Sequence, residues 1–332
     1  MVKKHYRRPP PVSGATPFDI VGLGQNAVDW LALVPHYPPF NTKVEIKEFL
    51  LKGGGPTASA VCACARLGLR GKYIGKVGND DNGAFSLKDI SSYGVDISET
   101  KIIEGAVSQF AVIVVDERSG ERTILWQRDQ PLHFKPGDVT AEQVTAGRML
   151  HTEGNDAAAF TQAARWAHER DVPVSIDIDK VTPGVDELLH HIDYILCSSN
   201  VPTDLTRIAD REKALFEMDR RYPGLVGCSV GDEGCLVVLD AKLVRFPGYR
   251  INAVDTTGAG DAFHGGFCYA LLQDWKLEDC FDFANAVAAI NCTARGARGG
   301  LPYLDQVFTL MGRIVQAPSA PVLDIHRKRR QR

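Results

Sequence analysis

The stretch Val254 to Phe267, VDTTGAGDAFHGGF, decides how the chain is read. Gly258, Ala259 and Gly260 precede an acid, Asp261, and an apolar run with Gly265 and Gly266 follows. A loop that turns into a helix leaves its first backbone N–H groups without intrahelical partners, and the helix dipole adds roughly half a positive charge there. Glycine and alanine leave those groups reachable, so such a turn can hold an anion with backbone alone. Asp261 lies in the same first turn and is expected to be ionised at neutral pH. Such an acid can still take the proton of a hydroxyl attacking a phosphoryl group, because in a loose transition state the proton leaves late. The plain alternative is a helix cap with a glycine-rich lead-in, and the local residues leave both readings open. Gly265 and Gly266 each cost roughly 1 kcal/mol in a helix interior, which points to a helix packed very close to a neighbour.

Outward from this stretch, apolar β-rich runs alternate with helical ones. FDIVGLG, GKYIGKVG, VPVSIDID and YILCSSN read as strands, and VGCSVGDEGCLVVLD as two strands around a turn. PTASAVCACARLG, AFSLKDISSYG, DAAAFTQAARWAHERD, DAFHGGFCYALLQD and LEDCFDFANAVAAINCTARG read as helices. This alternation predicts an α/β fold, a mostly parallel sheet flanked by helices. KVEIKEFLL (43–51) and SQFAVIVVDERSGERTILWQ (108–127) break the pattern. They alternate polar and apolar residues, the second as a hairpin turning at Arg118-Ser119-Gly120. One dry and one wet face suits a small separate sheet set over the main domain like a lid, its strands drawn from about 43–53 and 108–127.

The body of the chain is read as residues 17–316. It lies between a basic, proline-rich tail at 1–16 and a basic tail at 317–332 ending HRKRRQR, both read as solvated. A formal charge of −3 argues for neither nucleic acid nor a membrane surface as a main partner. No apolar run reaches the ~18 residues of a membrane span. The N-terminus has no apolar core after its charges, so it does not read as a signal peptide, and a cytoplasmic protein is expected. The eight cysteines are scattered, mostly in apolar stretches, and read as reduced, buried small hydrophobes. Cys62 and Cys64 form CxC with no histidine cluster beside them, which argues against a zinc site.

Two further glycine clusters follow apolar runs. Gly22-Leu23-Gly24-Gln25-Asn26-Ala27 fits GxGxxA, the opening of a dinucleotide site. The prolines at 35, 38 and 39 then forbid the crossover helix that such a site needs. Asn26 and Asp29 could instead face a ligand at the carboxyl edge of the sheet, or be ordinary loop residues. Gly53-Gly54-Gly55-Pro56-Thr57-Ala58-Ser59 opens a helix, with Pro56 comfortable at its start. Its glycines permit close approach to a ligand or positive φ, and Thr57 or Ser59 could donate to a hydroxyl. No GK[ST] follows, so this is not a Walker loop.

Taken together, VDTTGAGDAFHGG and GGGPTASAVCACARLG resemble the C-terminal and N-terminal signatures of the PfkB/ribokinase family of carbohydrate kinases, over nearly all of residues 17–316. Within the family, these segments and INCTARGARGGLP are most similar to sulfofructose kinase and fructokinase-type members. The resemblance implies a ribokinase-like, Rossmann-type sheet with a β lid, and transfer of a phosphoryl group from ATP, with Mg²⁺, to a sugar hydroxyl. It makes Asp261 the catalytic base and Gly258, Ala259 and Gly260 the anion hole. Asp29, Asn26, Gly54, Gly55 and Ser59 would bind the sugar. Asn200, Ser229, Gly231, Gly234 and Asn285 would bind the nucleotide, and Asp255 matches an acid beside a monovalent cation (K⁺) in many members. A homodimer through the lid is expected. The sequence departs from the family at Asn200-Val201-Pro202-Thr203, which lacks the usual final glutamate; Asp204 is a stand-in. It departs again at Ser59, where asparagine is usual. Arg128, in WQRDQ, could clamp an anionic sugar substituent or be a surface arginine, and Asp177 and Asp179 could face the same crevice or simply end a strand. A nucleoside kinase would stack a base on Trp30, Phe110 or Trp126. A non-catalytic binding member of the fold is the reading that Thr203 favours.

Overall fold

The computed structural model describes residues 4, 6–11, 16–119 and 121–313. In chain order its strands are β1 (Phe18–Leu23), β2 (Ala27–Val34), β3 (Glu48–Gly54), β4 (Gly71–Ile74), β5 (Lys76–Gly78), β6 (Lys101–Ile103), β7 (Phe110–Asp116), β8 (Arg122–Gln127), β9 (Gly147–Glu153), β10 (Val174–Ile178), β11 (Tyr194–Cys197), β12 (Leu225–Ser229), β13 (Cys235–Leu239) and β14 (Lys242–Phe246). The helices are α1 (Pro56–Arg66), α2 (Asp81–Ser92), α3 (Ala141–Val144), α4 (Ala157–Glu169), α5 (Val185–Leu189), α6 (Val201–Thr206), α7 (Arg211–Arg221), α8 (Ala259–Leu272), α9 (Leu277–Asn291) and α10 (Leu304–Leu310).

The main sheet runs β14-β13-β12-β11-β10-β9-β1-β4. Pairing is parallel from β4 to β12 and antiparallel across β13 and β14. Strand side chains alternate between faces, and this period of two divides the core. Ile20, Met149, Tyr194 and Leu225 pack against α1, α8 and α9, whereas their neighbours Val21, Leu150, Ile195 and Val226 pack against α4, α5 and α7. Strands buried on both faces read as unbroken apolar runs, and that is why β1, β10, β11 and β12 stand out in the sequence; β9, GRMLHTE, is as fully buried but carries polar residues and had no strand signal.

The lid is a four-stranded sheet, β3-β2-β7-β8. The expected strands form it, but the first begins at Glu48 rather than near 43, and Gly120 of the expected turn lies outside the described residues. A strand without a separate signal, β2, sits at the centre, antiparallel to β3 and parallel to β7. Leu31, Ala111 and Ile113 make a small core under it. Its other face leaves Trp30, Phe49, Leu51 and Leu125 exposed.

The N-terminal segment departs from the expected solvated tail. The Lys4 ammonium donates to Asp219 Oδ1 at 2.7 Å and to the Tyr222 carbonyl at 2.8 Å. The Tyr194 hydroxyl donates to the Arg7 carbonyl at 2.6 Å, and Arg148 Nε to the Pro10 carbonyl at 2.7 Å. These partners lie at the amino ends of β9, β11 and β12, where acids and open carbonyls draw a basic segment across the edge. The tail at 317–332 lies outside the described residues. All eight cysteines are free and buried.

Candidate active site

At the carboxyl edge of the sheet a cavity of about 240 Å³ lies beneath the lid, lined by Asp29, Gly55, Gln109, Ile113, Trp126, Asp179 and Asp261 among others. A second cavity, of about 430 Å³, is lined by Ser229, Gly231, Gly234, Phe263 and Asn285. They meet at the start of α8: Thr257, Gly258 and Asp261 line the first, and Thr256, Ala259 and Gly260 line the second.

Local residues explain this turn. Gly258 is left-handed at φ 73°, a conformation that favours glycine, and it lies against the backbone of Ala297. The Ala259 N–H turns back to the Thr256 carbonyl at 3.3 Å, and Ala262 begins the helical ladder on Gly258. Among the described residues, the N–H groups of Gly258, Gly260 and Asp261 have no hydrogen-bond partner. Three open donors at a helix start are a ready seat for phosphate oxygens.

The expectation of a fully ionised Asp261 does not hold. Burial, and after it the neighbouring Asp177 carboxylate, push its pKa up to about 7, against the opposing pull of His264 and Arg298. Desolvation outweighs the helix start, whose effect is at most about 2 kcal/mol. Asp29 is buried on β2, and burial raises it to about 6, with Arg298 pulling down and Asp255 pushing up. Asp177 does not line the first cavity. His264 Nε2 lies 3.1 Å from its Oδ1, and although burial pushes Asp177 up, its pairing with His264 holds it below the ordinary value.

Other expected positions divide into two groups. Asp29 and Gly55 line the first cavity, and Ser229, Gly231, Gly234 and Asn285 line the second. Asn285 Nδ2 donates to the Phe246 carbonyl at 3.0 Å. Asn26, Gly54 and Ser59 instead stand behind the cavity wall. All three meet the guanidinium of Arg298, at 3.1 Å from Asn26 Oδ1, 2.5 Å from the Gly54 carbonyl and 3.1 Å from Ser59 Oγ. Ser59, expected to meet a substrate, is fully buried and lines neither cavity, and its Oγ accepts from Arg298 Nε. Asn200 lies off the lining of the second cavity and donates to Asp204 Oδ2 at 3.0 Å; Ser198 lines the cavity at that strand end. Asp255 ties its loop together, one oxygen accepting the Thr257 N–H and the other the Gly296 N–H, both at 2.8 Å. Arg128 lines the first cavity, but it is no free clamp. Its guanidinium is buried in a bidentate pair with Asp156, at 3.3 and 2.6 Å.

Sequence reasoning missed Gln109, Asn155 and Lys180, which line the first cavity, and also Arg298. It is 4% exposed and also meets Asp89 at 2.5 Å. The one available signal was a lone arginine inside the glycine-rich run GARGG.

Residues 19–304 match the pfkB family carbohydrate kinase, and the chain belongs to that family. It is 30% identical to an ATP-dependent ribose-1-phosphate kinase of Halopiger xanaduensis, over 86% of this chain and 96% of that one. It is 25% identical to the ribokinase of Bacillus subtilis, over 88% and 99% of the two chains. Among solved structures, the ribokinase of Thermotoga maritima superposes with a TM-score of 0.76 at 22% identity, over 89% of this chain and all of that one. The adenosine kinase of Sinorhizobium meliloti superposes at 0.75 and 23%, over 89% and 99%. The fold is ribokinase-like, and the protein is a carbohydrate kinase, a phosphotransferase of a family that uses ATP.

Proposed function

We propose that the chain transfers the γ-phosphoryl group of ATP to a primary hydroxyl of a ketose or furanose sugar bound beneath the lid. The observation that carries this reading is the meeting of two cavities at one turn, where three open N–H groups adjoin a carboxyl poised near neutrality. In this mechanism the acceptor sugar lies in the smaller cavity, where the carboxylate of Asp29 accepts hydrogen bonds from its hydroxyls. Asp261 takes the proton of the attacking hydroxyl. A base with a pKa near the working pH combines a useful ionised fraction with a real driving force for that transfer. The N–H groups of Gly258, Gly260 and Asp261 hold the charge of the transferring group without reorganising. Ser229, Gly231, Gly234 and Asn285 line the nucleotide side.

Mg²⁺, held mainly by phosphate oxygens and water, would neutralise charge on the nucleotide phosphates. That arrangement suits a chain in which no cluster of three or more His, Cys, Asp or Glu is gathered among the described residues. Asp204, hydrogen-bonded to Asn200, is the carboxylate available near the position of the missing glutamate.

An anionic sugar such as sulfofructose or a sugar phosphate is the finer form of this reading. Its support is one cation in the cavity lining, the Lys180 ammonium, which stands 4.7 Å from the centre of the Trp126 ring; Arg128 is already neutralised by Asp156. The nucleoside alternative has less support. Trp30 is turned to the outer face of the lid, Phe110 packs against it at 5.8 Å, and Trp126, which lines the cavity, already carries the Lys180 ammonium over its ring. The exposed Trp30, Phe49, Leu51 and Leu125 favour pairing of two copies through the lid. We place the protein in the cytoplasm; no described helix is long and apolar enough to cross a membrane.

The test is ADP formation with ATP and Mg²⁺ across neutral sugars, sugar phosphates, sulfosugars and nucleosides. We expect turnover with a furanose or ketose and, for the finer reading, preference for its anionic form. Turnover with nucleosides alone, or with none of these acceptors, overturns the proposal.

A further inference from the structure

Of the four points at which the chain passes between body and lid, two adjoin each other beside the smaller cavity: Gly24–Asn26, leading into β2, and Gly54–Gly55, leading out of β3; the other two lead into β7 and out of β8. One buried guanidinium holds both. Arg298 NH2 donates to Asn26 Oδ1 at 3.1 Å and to the Gly54 carbonyl at 2.5 Å, while Nε reaches Ser59 of α1 and NH1 reaches Asp89 of α2. The residues just before Arg298 continue the pattern. Arg295 forms an ion pair with Glu48 at the start of β3, and Gly296 lies against the Lys52 side chain. The same short segment grips the phosphate-holding turn from the other side. The Gly296 N–H donates to Asp255 at 2.8 Å, and Ala297 packs on Gly258 at the position where a side chain would otherwise stand. Asn291 Nδ2 joins the two strands of this grip, donating to the Ala297 carbonyl at 3.0 Å and the Thr257 carbonyl at 3.5 Å.

We propose that residues 295–298 couple the position of the lid to the shape of the Gly258–Asp261 turn, with Arg298 as the positioning residue that pins both crossings beside the acceptor cavity. This rests on the kinase reading of the site and adds a residue to it. Arg298 does not line either cavity and touches no reacting group. Its action passes through Asn26, Gly54 and the loop that carries it. A planar fork of five donors suits this geometry, because one rigid group satisfies acceptors from four segments at once. A lysine keeps the charge and loses the fork.

The experiment compares wild type with R298K, R298Q and E48Q. We measure kcat and sugar KM, ATP affinity by direct titration without sugar, melting temperature, and hydrogen exchange of the β2 amides. For R298Q, sugar KM rises and kcat falls, each by about tenfold or more, while ATP affinity stays within about twofold. R298K recovers part of kcat. E48Q removes the half-exposed lid contact of Arg295 without changing the melting temperature, and raises sugar KM by about two- to threefold. Exchange of the β2 amides quickens in all three variants. R298Q with wild-type KM and kcat overturns the proposal, as does an equal loss of ATP and sugar affinity. Should R298Q fail to fold, E48Q decides: unchanged sugar KM together with unchanged β2 exchange is fatal to the coupling. A wild-type protein that turns over no acceptor contradicts the kinase reading instead, and the exchange measurement then judges the clamp alone.

Discussion

Asp261 stands under two opposing influences, a helix start that favours its charge and a buried position beside Asp177 that opposes it. Burial wins, and its pKa reaches about 7. The consequence for activity has a definite sign. A base must be ionised to accept a proton, so kcat/KM for the sugar should rise with pH, level off above about pH 7, and fall about tenfold per unit below it. Asp29, raised to about 6, steepens that acid limb, while Arg298 holds both acids, and His264 holds Asp261, lower than burial alone would. Stability moves the other way. A carboxyl whose folded pKa lies above its ordinary value of 3.8 supports folding below that value and loses this support as pH rises through about 7. The Asp261→Asn protein should therefore melt higher than wild type at pH 8, with the difference shrinking toward pH 5. Thermal melts at both values check this, and a constant difference contradicts it. The placement of Asp261, Asp29 and Gly55 at the first cavity was legible in the sequence, Asp261 and Gly55 from short glycine-rich runs and Asp29 from the family resemblance. Arg298 was not legible, because Asn26, Gly54, Ser59 and Asp89 come from distant segments that only the fold unites.

At the scale of elements, the tight packing expected of α8 is borne out, since the helix is pressed between α1 and α9. A Cβ on Gly265 would come 2.5 Å from Ala63 Cβ and 2.7 Å from the Ala60 carbonyl, and one on Gly266 would lie 3.0 Å from Ala284 Cα. One on Gly260 would meet nothing within 4 Å. Overpacking costs about 1–3 kcal/mol, and the helix propensity gained from alanine returns about 1 kcal/mol. Gly265→Ala should thus lower the melting temperature by a few degrees, whereas Gly260→Ala should not lower it. Equal melting of the two variants would show that α8 is free to shift. Most of the parallel strands were legible because strands buried on both faces are apolar runs; β9, GRMLHTE, was not, because Arg148, His151, Thr152 and Glu153 interrupt it. The lid strand β2 was not. AVDWLALV follows β1 after a turn of three residues, Gly24–Asn26, with nothing in that run to say that the chain has left one sheet for another.

Across the whole molecule, function and reinforcement occupy opposite edges of the sheet. The carboxyl edge carries both cavities, and the amino edge is strapped by residues 4 and 6–11. That strap looked like a free tail in the sequence because its partners, Asp219, Tyr194 and Arg148, are set far along the chain. The fold brings the cavity beneath the lid and the larger cavity beside it to a single helix start, and the central claim is that the first holds the acceptor, the second holds the nucleotide, and this one turn both holds charge and takes the proton. The most direct test is the rate of ADP formation by Asp261→Asn beside its affinity for ATP. The account predicts a fall in kcat of about 10²–10⁴-fold with ATP affinity within about twofold of wild type. A variant that keeps near-normal kcat would contradict it.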